Sequence, residues 1–336
     1  MAALAIPAAG DPALQGAWAV VTGGTRGIGL EVARGLVSRG IHVLIVGRDA
    51  GAGKAAAESL GRSAAGGAQA RFEAGDLSRL GEVPALARRI AGIVPRLKYL
   101  IHNAAVVTPR RLVTPEGFET QFAVNHLAPY SLTRDLIPAL LSAPEARIVV
   151  TASQVERGAD LDLDDLMGSK GYEPFRAYGQ SKLANVLFTY ELAERLAGSS
   201  VTVNCLHTGV VRTGLLDTLG AVQTANQPRE SAVRRVVGAL RRSIGSGLGA
   251  AGLRPPVKDW ALAAPEGAVT TLTVTLAPEL RGVSGRYFSD CQEATSSPRS
   301  RDPALRRALW EASARLLDVS PDWPDRRSGA PAPLRS

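Results

Sequence analysis

An apolar run over residues 17–21 passes directly into Thr22-Gly23-Gly24-Thr25-Arg26-Gly27-Ile28-Gly29, and a helix-forming stretch follows at once. Few local patterns restrict a fold so tightly. Glycines at the joint between a strand and a helix accept backbone conformations that a side chain would forbid, and they let another group approach the main chain closely. The start of the helix then presents unpaired N–H groups and the positive end of its dipole, which suits the pyrophosphate of a dinucleotide. The spacing is Gly-x-x-x-Gly-x-Gly rather than the commoner Gly-x-Gly-x-x-Gly. Standing alone it is compatible with a simple tight turn, but the strand before it and the helix after it favour the phosphate cradle.

The rest of the chain repeats the alternation. Strands are predicted over residues 17–21, 41–46, 68–74, 97–101, 147–151, 201–206 and 285–289. Helices are predicted over 27–38, 50–60, 81–93, 115–141, 175–196, 266–276 and 301–317. Strands alternating with helices of this length imply right-handed crossovers and a parallel sheet covered on both faces. The expected fold is therefore α/β, a single Rossmann-type doubly wound domain over residues 15–318. Residues 213–259 form an excursion without a predicted strand, which is unusual unless it serves as a substrate lid. Residues 319–336, rich in Pro, Arg and Ser, are expected to be a disordered tail.

Composition mainly excludes. The net charge of +8 rests on arginine, and those arginines are dispersed, with no zinc-finger spacing or interleaved aromatic stripe. No nucleic-acid partner is expected. Cys205 and Cys291 are too few for a disulfide scaffold or thiolate cluster, the four histidines are scattered, and no metal site is expected. Residues 1–10 lack the basic start of a signal peptide and the length of a membrane span. A cytoplasmic protein without an integral membrane segment follows as the expectation.

Charge also suggests which dinucleotide binds. An NAD site normally places a carboxylate after the second strand, whereas the extra phosphate of NADP requires positive charge there. Here Val46 is followed by Gly47-Arg48-Asp49, and Arg26 stands in the glycine turn. Two guanidinium groups fit NADP(H), with Asp49 read as the start of the next helix. Asp76, next to Leu77, suits the adenine amino group equally as well as a helix cap. Far downstream, Tyr178 and Lys182 are spaced i, i+4 and share a helix face. A phenol is a weak acid near pH 7, and an adjacent ammonium is expected to lower its pKa. Ser153, closing the fifth strand, is placed to hold a substrate oxygen.

These residues, in this order, resemble the short-chain dehydrogenase/reductase family over roughly residues 15 to 317. The motifs that carry the resemblance are the turn from Thr22 to Gly29, Asp76-Leu77, His102-Asn103-Ala104-Ala105, Asn125, Ser153, and Tyr178 through Lys182. Val124-Asn125-His126-Leu127, Asp162-Leu163-Asp164-Asp165-Leu166 and Gly285-Arg286-Tyr287-Phe288 make the chain similar to the retinol-dehydrogenase-like branch. The resemblance implies a catalytic group of Asn125, Ser153, Tyr178 and Lys182, with Asn125 maintaining helix geometry and a water route to Lys182. It implies cofactor contacts from Gly23, Thr25, Arg26, Gly27, Ile28, Gly29, Arg48, Asp76, Leu77, Asn103, Ala104, Tyr178, Lys182, Gly209, Val211 and Thr213. Three departures stand out: Asn103-Ala104-Ala105 for Asn-Ala-Gly, Thr208-Gly209 for Pro-Gly, and Ala152-Ser153 for Ser-Ser.

The implied reaction is hydride transfer between NADP(H) and a lipophilic ketone or aldehyde, or the corresponding alcohol. Carbonyl reduction is the favoured direction. Alcohol oxidation and a non-catalytic, cofactor-bound sensor are the rival readings. Leu305, Leu309, Ala312 and Leu316 form a stripe on the last helix, with Trp310 beside it. That stripe needs a partner, either the main domain or a second subunit of a homodimer.

Overall fold

The structure is a computed structural model that describes residues 4–211 and 262–324. Seven parallel strands and one antiparallel edge strand form a single sheet. In chain order they are β1 (Trp18–Thr22), β2 (His42–Gly47), β3 (Ala70–Ala74), β4 (Tyr99–His102), β5 (Ala146–Thr151), β6 (Val201–His207), β7 (Arg286–Ser289) and β8 (Gln292–Ala294). Across the sheet the order is β3-β2-β1-β4-β5-β6-β7-β8. The direction of winding reverses between β1 and β4, so the connections that leave the C-terminal ends of these two paired strands run to opposite faces of the sheet and leave a crevice between them, as expected of a doubly wound fold. β5 and β6 are buried along their whole lengths, which explains their near-continuous apolar sequences.

Two helical layers cover the sheet. On one face, α1 (Gly27–Val37), α2 (Ala50–Gly61) and α7 (Ala264–Leu276) bury Val32, Leu36, Ala56, Leu60, Leu272 and Leu276. On the other, α3 (Val83–Ile93), α5 (Ala128–Leu141) and α6 (Pro174–Arg195) bury Leu86, Ile90, Leu132, Leu136, Leu183 and Leu187. The final helix, α8 (Pro303–Leu316), lays Leu305, Leu309, Trp310 and Ala312 onto this second layer. Its apolar stripe is therefore satisfied within its own chain.

Three features differ from the sequence expectation. The helix expected over residues 115–141 begins only after Glu119. The Glu119 carboxylate accepts from the N–H groups of Gln121 and Phe122 at 3.0 and 2.7 Å, which starts the helix there as an N-cap. A single turn, α4 (Thr120–Phe122), then passes through a π-helical turn at Ala123–Leu127 before α5 begins. The antiparallel β8 was not foreseen. Its hairpin with β7 turns on Asp290 and Cys291, both with positive φ, and contains no glycine to mark it.

The third difference is the beginning of the expected disordered tail. Residues 319–324 are packed, because Trp323 is 9% exposed in an aromatic cluster with Tyr130 and Trp310. The indole N–H of Trp323 donates to the Tyr130 hydroxyl at 2.8 Å, and that of Trp310 donates to the Pro321 carbonyl at 2.8 Å. A reading by composition counts the prolines and arginines here and overlooks what one tryptophan can anchor. The lid expected at 213–259 lies outside the described residues, as do residues 325–336.

Candidate active site

The glycine turn closes over the end of β1 in a way that leaves little room for substitution. Gly23 has φ +66°, and a Cβ there would come within 2.9 Å of the Ala104 backbone. A Cβ on Gly29 would collide with the Gly23 carbonyl and the Asn103 side chain. The N-terminus of α1 has no side-chain cap and no acidic residue in its first turn, although α2, α6 and α8 are capped by Asp49, Glu173 and Asp302. An uncapped N-terminus beside a glycine cradle is chemically suited to the pyrophosphate of a dinucleotide. The residues present therefore fit that group.

Thr22, quoted above only as part of the turn, joins the two strands that flank the crevice. Its hydroxyl accepts from the N–H groups of Asn103 and Ala104 at 3.1 and 3.2 Å and donates to the Ile101 carbonyl. The Asn103 amide returns bonds to the carbonyls of Thr22 and Gly23. Asn103 and Ala104 thus lie against the glycine turn, as the family resemblance implies. No pattern in the sequence marked Thr22, because its partners are about eighty residues away.

Arg26 and Arg48, in and beyond the glycine turn, are exposed. They flank a close contact, since a Cβ on Gly47 would lie 2.6 Å from the Thr25 methyl. Among the described residues neither arginine forms an ion pair. Asp49 caps α2 by accepting from the Ala52 N–H at 2.9 Å, which accounts for a carboxylate at this position. Asp76 accepts from the Ser78 N–H and hydroxyl at 3.0 and 2.7 Å. It therefore braces its own turn and does not cap α3, while Leu77 is buried beside it.

Tyr178 and Lys182 share the buried face of α6, and the Lys182 ammonium stands 5.7 Å from the Tyr178 ring centroid. Lys182 is 1% exposed and donates to the Thr151 carbonyl at 2.9 Å. An ammonium has three donors, so the remaining N–H groups suit ribose hydroxyls. Asn125 projects from the π-helical turn. Its Oδ1 accepts from the Val106 N–H at 2.8 Å, and its Nδ2 donates to the Val106 carbonyl and to the Ser181 hydroxyl, both at 3.0 Å. Ser181 in turn donates to the Tyr178 carbonyl. Asn125 therefore ties the loop after β4 to the helix carrying Tyr178, through a serine that sequence reasoning passed over within Tyr178-Gly179-Gln180-Ser181-Lys182.

The electrostatics reverse one sequence expectation. Burial pushes the Tyr178 phenol up to about 12, with the adjacent Ser153 hydroxyl pulling the other way. Burial also pushes Lys182 down to about 7. Removal from water thus outweighs the attraction expected between ammonium and phenolate. Burial therefore favours the neutral phenol at Tyr178.

The Lys182 shift has a consequence for stability. An unfolded lysine titrates near 10.5, so between about 7 and that value the unfolded chain holds more protons than the native one, and stability rises with pH. The cofactor-free protein is expected to gain thermal stability relative to its Lys182→Met variant as pH goes from about 7 to about 9. Paired melting curves test this; a difference independent of pH would mean that Lys182 remains charged throughout.

Gly209 and Val211 lie where the chain leaves β6. Gly209 has φ +79° and abuts Leu262, and Val211 pairs with Leu262 in a parallel bridge. The described residues on either side of 212–261 thus meet where the chain leaves the C-terminal end of β6. Thr213 lies outside the described residues. Among the described residues no cluster of His, Cys, Asp or Glu is arranged to hold a metal, and no helix is long and apolar enough to cross a membrane.

A strand–glycine turn–helix cradle, with Ser, Tyr and Lys gathered at the C-terminal edge of a doubly wound sheet, defines a nicotinamide-dependent oxidoreductase. Comparison with known proteins agrees: the sequence profile of the short chain dehydrogenase family matches residues 17–223, and the chain belongs to that family. Within it the chain is retinol-dehydrogenase-like. Retinol dehydrogenase 14 of Homo sapiens is 36% identical over 323 residues, covering 92% of this chain and 89% of that protein. Retinol dehydrogenase 12 of Homo sapiens is 37% identical over 306 residues, covering 91% and 88%. A solved structure of an uncharacterised protein from Mycobacterium Paratuberculosis aligns with a TM-score of 0.68 at 27% identity, covering 91% of this chain and 95% of that one. A structure described as an NAD(P)-dependent gluconate 5-dehydrogenase from Beutenbergia cavernae, with bound NADP, aligns at 0.59 and 26% identity, covering 82% and 95%.

Proposed function

We propose that the protein is an NADP(H)-dependent carbonyl reductase acting on a lipophilic aldehyde or ketone. The observation that carries this reading is the place of the buried Tyr178 phenol, with Ser153 beside it and the Lys182 Nζ 5.7 Å from its ring centroid. A phenol held between a serine and a lysine can give a proton to a substrate oxygen, and reduction needs that proton.

A nicotinamide dinucleotide, when bound, would supply the hydride for the carbonyl carbon. Tyr178 gives its proton to the carbonyl oxygen as that bond forms. Ser153, beside the phenol, orients the same oxygen and stabilises its developing charge. Lys182, anchored on the Thr151 carbonyl, holds the ribose and supports Tyr178, and Asn125 keeps the helix in register with the loop after β4. The proton route implied for Asn125 is consistent with this bracing position.

Arg26 and Arg48 support the choice of NADP(H). NADPH is expected to bind more tightly than NADH, and Arg48→Ala is expected to narrow the gap by roughly 1.5–3 kcal/mol, the scale of a charge-assisted hydrogen bond. Calorimetry with both cofactors reads this directly. Equal affinities that do not change in the variant would count against the assignment.

A lipophilic substrate is suggested by Leu215, Leu216, Leu219 and Val222 in the sequence of the expected lid, and by relatives named for retinol. The test is oxidation of NADPH in the presence of a panel of aldehydes and ketones, retinal among them. No turnover with any carbonyl, together with turnover of alcohols and NADP, would reverse the proposed direction. Two free cysteines, Cys205 and Cys291, support cytoplasmic residence.

A further inference from the structure

Glu156 is fully buried, yet no step above uses it. It lies in the 3-10 turn Gln154–Gly158, which starts directly at Ser153. Its N–H donates to the Ser153 carbonyl at 3.1 Å, and its Oε1 accepts from the Ser297 N–H at 3.0 Å. Two further bonds join the same two segments. Arg157 donates to the Thr295 carbonyl, and Arg299 Nε donates to Asp160 at 3.0 Å. The loop after the catalytic serine is thus held along its length by residues 295–299, which follow the antiparallel edge strand.

Segment 295–300 also holds α6. The Ser296 hydroxyl bonds the Tyr190 hydroxyl at 2.7 Å, and Ser300 donates to Ser296 at 2.8 Å. The serine-bearing turn itself lies directly on α6 next to the catalytic tyrosine, where a Cβ added to Gly179 would come within 3.2 Å of Ala159. One short segment therefore grips both elements whose side chains must meet at the substrate oxygen.

We propose that Glu156 is a positioning residue whose buried carboxyl group couples the Ser153 turn to segment 295–300, and that this coupling sets the placement of Ser153 against Tyr178. The proposal rests on the reductase reading for its kinetic consequence but not for the coupling itself. A buried carboxyl group is costly to retain without a role, because burial disfavours its charge. The same burial raises its pKa against the pull of Ser297. Its second oxygen has no hydrogen-bond partner among the described residues, so Ser297 is what anchors it.

The test compares Glu156→Ala, Glu156→Gln and Arg299→Ala in the full-length protein. Glu156→Ala is expected to lower kcat roughly 10–100-fold, the range associated with displacement of a positioned group by about an ångström. NADPH affinity and substrate KM should stay near wild type. Glu156→Gln keeps an acceptor for the Ser297 N–H and should recover most of kcat. Arg299→Ala, at an exposed position, should produce a smaller loss of the same kind. Amide hydrogen exchange over residues 153–160 should rise in Glu156→Ala and Arg299→Ala but not in Glu156→Gln. Wild-type kcat in a folded Glu156→Ala protein would overturn the proposal, as would a loss shared equally by kcat and NADPH affinity. If Glu156→Ala does not fold, unchanged exchange and kcat in Arg299→Ala overturn it instead. A wild-type protein inactive on every carbonyl would sink the reductase reading, and the exchange measurement would still decide the coupling.

Discussion

Replacing Tyr178 with phenylalanine is expected to lower kcat for carbonyl reduction by at least roughly 10²-fold while leaving NADPH affinity near that of the wild type. The ring packs in the same buried face of α6, 5% exposed, so the change removes the hydroxyl and little else. Lys182 keeps its bond to the Thr151 carbonyl and therefore the position from which it is proposed to hold the ribose. The expected signature is a fall in kcat without a matching change in cofactor binding, the mark of an interaction made in the transition state alone. Stopped-flow measurement of hydride transfer distinguishes this from slowed product release. Near-normal turnover would mean that another group donates the proton.

Trp323→Ala should cost roughly 3–5 kcal/mol of stability, the scale for removing a buried tryptophan. The indole stands 4.5 Å from the Trp310 ring and 4.8 Å from that of Tyr130, centroid to centroid. It also donates to the Tyr130 hydroxyl at 2.8 Å. Arg195 reinforces the cluster by lying 4.4 Å from the Trp310 ring centroid and donating to the Pro321 carbonyl at 3.0 Å. A chain ending at residue 321 should lose similar stability, whereas turnover per folded molecule should hold, since none of the cluster's residues belongs to the proposed catalytic group. Urea unfolding measures the effect, and an unchanged midpoint in Trp323→Ala would show that residues 319–324 contribute nothing to the fold.

The parts of the site that the sequence revealed are those whose chemistry sits within a few residues of itself. The glycine turn is contiguous, and Tyr178 and Lys182 are one helical turn apart. The alternation of strands and helices is a local periodicity. Even the bland reading of Asp49 as the start of a helix could be stated from its position, and the Ala52 bond confirms it. By contrast, the single helix expected over residues 115–141 failed because the pattern of apolar residues carries no sign of where Glu119 will cap. The hairpin at Asp290 and Cys291 was missed because neither residue is the glycine that usually marks positive φ.

The amino-acid sequence determined the layer architecture, the position of the glycine turn between β1 and α1, and the pairing of Tyr178 with Lys182 on one helix face, because each depends on residue type at short, fixed spacing. The tertiary structure alone decided that Thr22 joins β1 to Asn103, that Asn125 reaches Ser181, that Trp323 is anchored in the core, and that segment 295–300 grips the catalytic turn. It also decided the direction in which the site's pKa values move. Lys182 beside Tyr178 suggests a lowered phenol pKa when the helix is considered by itself, but the sheet and its neighbours bury both groups and drive the phenol up and the ammonium down. The reason is physical: spacing along a chain fixes which groups can be neighbours, but solvation depends on everything packed around them.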